Sequence, residues 1–304
     1  MSGTARGNLE GALWMVASGV VFTAQNAVVK ELGTRLDSFE IAFFRCLFGF
    51  LAVLPFLARG GTSMFMTGRP ALHVARALVG VSTMFCGMYA YTHLPLADAT
   101  AIGFARPLFT VLLAAALLGE IVGWRRLSAT AVGFAGVLII VRPGSEIFDF
   151  AHVAALAGAF LGADVVVLVK KLQGSERNAT IMAYFGIVTT IASAVPAALV
   201  WQTPTAGEFA LLVTIGCTAS TAQWMTLKAY RAADASTVVP FDYSRLIFAI
   251  FYGWLFFAEI PDRWTLLGSA ILVAATLYIA YREIALGRSG ADGPGTGPDA
   301  GRAP

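Results

Sequence analysis

Apolar residues in this chain come in long runs separated by short polar connections. A helix of about 20 apolar residues spans the roughly 30 Å hydrocarbon core of a bilayer. Ten runs of about that size can be counted, at residues 11–29, 38–57, 72–92, 97–118, 127–141, 150–169, 179–201, 208–227, 236–258 and 264–281, of which the fifth is short. The connections are brief and leave no room for a soluble domain. The pattern predicts an all-α integral membrane protein with ten transmembrane helices. The first run begins near Gly11 behind a single Arg6 and shows no small-residue cleavage site, so it reads as a retained helix and not as a removed leader.

Composition points the same way. Hydrophobic residues make up 58% of the chain, charged residues 13%, and mean hydropathy is +0.74, whereas soluble domains carry roughly 25% charge. With the N-terminus in the cytoplasm, 13 of the 21 Lys and Arg fall on inside segments and only Lys30, Arg35, Arg142 and Arg263 outside. That bias predicts a multi-pass protein of the cytoplasmic (inner) membrane with both termini cytoplasmic. The net charge of +3 then reflects topology and gives no sign of a nucleic-acid partner. Cys46, Cys86 and Cys217 all fall in apolar runs and suggest neither a disulfide nor a metal framework, and no cofactor is expected. Residues 284–304, rich in Gly, Pro and Asp, are expected to form a disordered cytoplasmic tail.

Two stretches, one in each half of the chain, read as one element written twice. Ala90-Tyr91 and Ala229-Tyr230 open them, Arg106 and Arg245 sit mid-way, Phe109 and Phe248 follow, and Glu120 and Glu259 close them, all at one constant shift along the chain. The same shift places Gly19 on Gly158 and Gln25 on Asp164, and a shift longer by a single position places Lys30 on Lys170. The break between copies falls at Arg142-Pro143-Gly144-Ser145, a turn-forming stretch. The repeats are therefore 11–142 and 150–283. Five helices per copy is an odd number, so the second copy enters the membrane from the opposite side. Such inverted repeats are typical of secondary transporters, with the binding site at mid-depth between the copies.

With these motifs in view, the chain resembles the drug/metabolite transporter superfamily in its ten-helix form with two EamA-type repeats. The resemblance rests on Leu94-Pro95-Leu96-Ala97-Asp98-Ala99-Thr100, on Pro107-Leu108-Phe109, on the closing Leu118-Gly119-Glu120, and on the second-half Phe257-Ala258-Glu259. It covers about residues 11–283. It implies a carrier that moves small organic solutes by alternating access, commonly as an exporter. Arg106 departs from the family pattern, which more usually has an uncharged residue before the proline.

Charges inside apolar helices are expensive and mark function. Asp242 and Arg245 are three residues apart on one helical face. They read either as a local ion pair that lowers the cost of burial or as lining of an aqueous cavity, the second being preferred. Arg106, on the symmetry-related helix, has a planar fork suited to a carboxylate or phosphate; otherwise it neutralises Asp164 or Asp242 across the bundle. Asp164 and the Gln25-Asn26 pair hold corresponding positions in the two copies, and Asp164 suits an ammonium group or a coupling proton. Arg45 is expected in a vestibule with Glu40, and Arg76 as a snorkelling anchor. Glu120 and Glu259 are expected to pair with Arg125, Arg126 and Arg263 at helix ends. Tyr89, Phe104, Trp224 and Tyr243 are candidates to stack on a flat or cationic solute, although aromatics in apolar helices more often pack. Gly133, Gly136 and Gly268 permit close helix contact, either internal or at a homodimer seam.

The expected substrate-binding set is thus Arg106, Asp242, Arg245, Asp164, Gln25, Asn26, Tyr243, Trp224 and Tyr89. No hydrolase, kinase-type or metalloprotease motif is present, and His73, His93 and His152 lie on separate helix ends, so no enzymatic activity is expected. Cations and carboxylates together complement a molecule bearing both a carboxylate and an amine. The chain therefore reads as a carrier of an amino acid or amino-acid-like metabolite, with export favoured. The alternatives are uptake of S-adenosylmethionine or riboflavin-like metabolites and efflux of drugs or quaternary amines.

Overall fold

The computed structural model of the protein describes residues 3–58, 66–119, 122–173, 176 and 178–291, and among these all regular secondary structure is helical. The helices are α1 (Gly3–Leu32), α2 (Ser38–Ala58), α3 (Pro70–His93), α4 (Leu96–Gly103), α5 (Arg106–Leu118), α6 (Trp124–Val141), α7 (Phe150–Gln173), α8 (Asn178–Leu199), α9 (Ala206–Ala232), α10 (Ala235–Asp242), α11 (Ser244–Phe257) and α12 (Arg263–Ala291). Among the described residues, seven stretches are long and apolar enough to cross a membrane: Gly7–Leu32, Pro70–His93, Leu96–Leu117, Trp124–Val141, Phe150–Leu172, Thr180–Leu199 and Arg263–Arg282.

Two single helices expected from the sequence are each broken. The run at 97–118 is α4 followed by α5, and the run at 236–258 is α10 followed by α11. At the first break Phe104, Ala105 and Leu108 donate to carbonyls three residues back, at 3.0, 2.9 and 3.0 Å, in place of the usual four. Pro107 lacks the N–H that would bond Gly103, which explains the tightening. At the second break the equivalent residue is Leu246, whose N–H donates to the Tyr243 carbonyl at 3.0 Å, so no proline is needed there. α4 and α10 end at Gly103 and Asp242, which are repeat mates under the shift that relates Arg106 to Arg245. The left-handed residues that terminate α5 and α11, Gly119 (φ 68°) and Ala258 (φ 54°), keep that shift too. Arg142 (φ 46°) and Gly144 (φ 88°) make the expected turn between the copies.

The expected tail is corrected in part. α12 runs through Ala291, past the boundary at 283, because Glu283 to Leu286 are good helix formers continuous with the apolar span. Residues 292–304 lie outside the described residues, as do Arg59, Glu120, Arg177 and Arg302.

Packing partners recur between the halves. α1 lies along α9 and against α10 and α11, while α7 lies along α3 and against α4 and α5. Ser18 of α1 fixes the first pairing by donating to the Ala222 carbonyl of α9 at 2.9 Å and meeting the Thr226 hydroxyl at 2.7 Å. α6 pairs with α12 at backbone contact. A Cβ at Gly136 would fall 2.8 Å from the Gly268 carbonyl, and one at Gly268 would fall 2.6 Å from that of Gly136. The close contact at these two glycines is thus internal to the chain. Cys46, Cys86 and Cys217 are free thiols.

Candidate functional site

The two helix breaks meet. Phe104 and Tyr243, the residues at which the spans are interrupted, contact each other with ring centroids 4.9 Å apart. Immediately beyond them the N-terminal ends of α5 and α11 carry Arg106 and Arg245. Helix N-termini add their own positive potential there. Each arginine leans on the first long helix of a repeat where a glycine leaves room. A Cβ at Gly162 of α7 would fall 2.7 Å from Arg106 Nε, and one at Gly19 of α1 would fall 3.3 Å from Arg245 Cγ. Phe22 of α1 also lies beneath the Arg245 guanidinium at 4.6 Å.

A cavity of about 520 Å³ opens beside this junction. Arg106, Thr110 and Tyr243 line it beside the junction, and Tyr230, Lys170 and Arg126 line it from the ends of α9 and α7 and the start of α6. No acidic side chain lines it among the described residues. Arg106 is exposed and lines this space. Tyr230 belongs to the end of α9 against which Gly7 and Gly11 of α1 pack. The opposite end of α1, at Lys30, is about 29 Å away along the helix.

That opposite end is closed by ion pairs. Lys30 pairs with Glu259 and donates to the Leu94 carbonyl at 2.6 Å, and Glu259 accepts from the Leu96 N–H, the first of α4, at 2.9 Å. Arg35 forks onto Glu208 at the start of α9. Arg142 meets Asp262 at 2.6 Å. Burial opposes ionisation of Asp262, but hydrogen bonds from the Thr265 N–H and hydroxyl and from Arg142 hold its carboxyl below the usual range.

The structure brings together only some of the residues singled out in the sequence. Arg245 Nη2 is 2.9 Å from Asp242 Oδ1, the expected pair one turn apart. Arg106 makes no ion pair with either aspartate among the described residues; Asp164 is half-buried on α7, two residues from the glycine on which Arg106 rests. Gln25 and Asn26 are buried on α1, and both amide atoms of Gln25 lack a hydrogen-bond partner among the described residues. Tyr243 lines the cavity. Trp224 and Tyr89 are not brought to it. Trp224 is half exposed, edge-on to Trp14 at 5.4 Å and beneath Lys228. Tyr89 stacks on His93 at 4.0 Å near the end of α3.

Three other expectations change. Glu40 is fully buried and accepts from the Gln202 N–H at 3.1 Å, and no ion pair joins it to Arg45. Glu259 takes Lys30 as its partner instead of Arg263, whose guanidinium sits over Trp264. Arg76 packs over the Phe185 ring of α8 at 4.3 Å and is held inside the bundle instead of reaching outward. Among residues the sequence reading passed over, Tyr230 was visible as the repeat mate of Tyr91, and Lys170 as that of Lys30.

A model of the EamA-like transporter family matches residues 9–142 and again 149–281. The chain is 36% identical over 274 residues to a protein of Rickettsia bellii named as an S-adenosylmethionine uptake transporter, covering 89% of this chain and 93% of that one. It is 36% identical over 280 residues to a riboflavin transporter of Rhizobium johnstonii, covering 90% and 92%. It is 31% identical over 275 residues to a pseudopaline exporter of Pseudomonas aeruginosa, covering 89% and 95%.

Proposed function

The chain belongs to the EamA-like transporter family, and from that premise we propose that it carries an amino-acid-like metabolite across the inner membrane by alternating access. The observation that carries the reading is Arg106, a guanidinium without an ion-pair partner among the described residues, set in a 520 Å³ cavity at the junction of the two broken spans. A guanidinium there holds a carboxylate by two parallel hydrogen bonds, and Asp164, half-buried on α7 two residues from Gly162, is the carboxylate we assign to an amine. S-adenosylmethionine carries both groups, and the relative from Rickettsia bellii is named for its uptake. Uptake of such a metabolite is therefore the direction we adopt, in place of the export expected from the sequence.

The mechanism treats residues 11–142 and 150–283 as inverted five-helix repeats forming ten spans. Supporting this are the constant shift shared by both breaks and both left-handed caps, and the exchange of helix partners between halves. With both termini cytoplasmic, the cavity faces inward and the Lys30–Glu259 end is the closed outer side. Inward release follows from this arrangement, and return requires the outer ion pairs to part while the cavity closes.

The test is a thermal-shift screen of the purified carrier across S-adenosylmethionine, riboflavin, amino acids and quaternary amines, followed by counterflow in liposomes with the compounds that stabilise it. Stabilisation by S-adenosylmethionine with saturable counterflow is the expected result. Stabilisation by lipophilic cations alone would replace the reading with drug efflux.

A further inference from the structure

A second hollow lies on the α6–α12 pair, a groove of about 530 Å³. The two helices meet at backbone level at Gly136 and Gly268, and Gly133 faces Ala275. Toward the start of α6, small side chains leave the space between the helices unfilled. Ala129 and Val132 of α6 and Ile271, Ala274 and Ala275 of α12 form apolar walls, while Trp124, Arg125 and Tyr278 line the end where α6 begins. The groove is separate from the 520 Å³ cavity. α12 stands between them, presenting Thr276 and Ile279 to the cavity and Ala274 and Tyr278 to the groove. Of the two arginines that open α6, Arg126 lines the cavity and Arg125 the groove.

Both walls belong to stretches long and apolar enough to cross a membrane, Trp124–Val141 and Arg263–Arg282. An open apolar groove on such a face is filled by an acyl chain or by another apolar helix. Its polar end decides between the two. Arg125 is exposed, and no acidic side chain lines the groove among the described residues. A second copy docked through the same face would bring two Arg125 guanidiniums to one membrane depth, a like-charge contact with no counter-ion. An anionic phospholipid supplies the missing charge and the apolar filling at once. Trp124 and Tyr278, 74% and 44% exposed, stand on opposite walls, and such rings settle at the level of lipid headgroups. From Arg125 to Val132 is about 10 Å along the helix, so a headgroup at the arginine leaves its chain to run between the apolar walls.

We propose that this groove binds an anionic phospholipid, its phosphate held by the Arg125 guanidinium and one acyl chain lying between α6 and α12. The planar fork matches phosphate geometry, and basic pockets between spans hold anionic headgroups by the same attraction. A zwitterionic lipid fits less well, because its ammonium group meets no carboxylate in the lining. In the orientation adopted above, the site opens to the cytoplasmic leaflet. It does not depend on which solute the cavity carries.

The test is native mass spectrometry of the full-length carrier, exchanged into detergent with equal amounts of phosphatidylglycerol and phosphatidylcholine of identical acyl chains. The wild-type protein is expected to retain one phosphatidylglycerol in preference to phosphatidylcholine by about fivefold, the scale of one cation beside an anionic headgroup. In Arg125→Gln, where an exposed side chain loses its charge, the two lipids should be retained equally. Ala274 is exposed on the groove wall, so Ala274→Phe fills the groove from the lipid side and should release the retained phosphatidylglycerol. Equal retention by the wild-type protein, or the full preference kept in either variant, overturns the proposal. So does a wild-type dimer that Ala274→Phe splits, which places a second copy in the groove, and so does displacement of the retained lipid by an equal concentration of inorganic phosphate, which marks a site for the free anion.

Discussion

Phe104 and Tyr243 lie in opposite halves of the chain and touch in space, ring centroids 4.9 Å apart, each at the point where its span is broken. They are the same position under the shift that relates the two halves, so in the proposed alternating-access cycle the contact sits where the halves move against each other. Such a pair contributes about 0.5–1.5 kcal/mol beyond the area it buries. Tyr243→Phe keeps the ring contact and is expected to retain most transport. Tyr243→Ala opens the junction and is expected to lower the transport rate about tenfold, the rate equivalent of the upper part of that range. Initial rates of counterflow check both.

Gly162 is the floor on which the Arg106 guanidinium rests. A methyl group there would fall 2.7 Å from Nε and 3.1 Å from Cζ, so the flexible end of the arginine must move aside. Gly162→Ala is expected to raise the KM about tenfold, since small misplacements of a positioning group have large effects. The unfolding temperature should stay close to that of the wild type, because only a side-chain tip is displaced. A large fall in unfolding temperature would show that the glycine serves packing instead.

Gly136 and Gly268 present the opposite case, because there the atoms in the way are backbone. Gly136→Leu forces α6 from α12 and is expected to destabilise the protein by about 3 kcal/mol or to prevent its folding, the upper end for overpacked sites. Thermal unfolding in nanodiscs measures it.

Arg245 is paired with Asp242 and holds a fixed fork over Phe22. Arg245→Lys keeps the charge and loses the fork, and transport is expected to fall substantially. Asp242→Asn leaves the guanidinium without its counter-charge. The side chains are 20% and 32% exposed, so the expected loss of stability is about 2 kcal/mol, below the 3–5 kcal/mol of a fully buried pair. Chemical denaturation of the two variants separates the transport defect from the folding defect.

The Lys30–Glu259 pair ties α1 and the segment after α11 to the first turn of α4. Glu259→Gln weakens that tie, and a cysteine placed at Leu94 is then expected to react faster with a membrane-impermeant thiol reagent added from outside. Unchanged labelling would mean that this pair does not govern closure of the outer side.

Much of this was legible in the sequence because burial in a membrane leaves a coarse pattern. Apolar runs located helices, seven stretches of which are long and apolar enough among the described residues to cross a membrane, and the repeat of Arg106 and Arg245 pointed to the two helix breaks. The breaks within 97–118 and 236–258 escaped because hydropathy averages over a span, and Pro107 signals a weakened turn without saying which residues lose their bonds. Partner choice escaped as well. Glu259 has Arg263 close by in the chain, yet it bonds Lys30 of the other half, because the α1 and α4 ends converge there. Trp224 was an attractive aromatic by spacing alone, but helix rotation turns it toward Trp14 and away from the cavity.

The central claim, that this chain carries an amino-acid-like metabolite through a site containing Arg106, is tested most directly by counterflow of labelled S-adenosylmethionine into liposomes holding the unlabelled compound. Saturable counterflow by the wild-type protein, reduced at least tenfold in a folded Arg106→Gln variant, is the expected result, the loss corresponding to one charge-assisted contact. Full counterflow in Arg106→Gln, or none in a wild-type protein that is folded and reconstituted, would contradict the account.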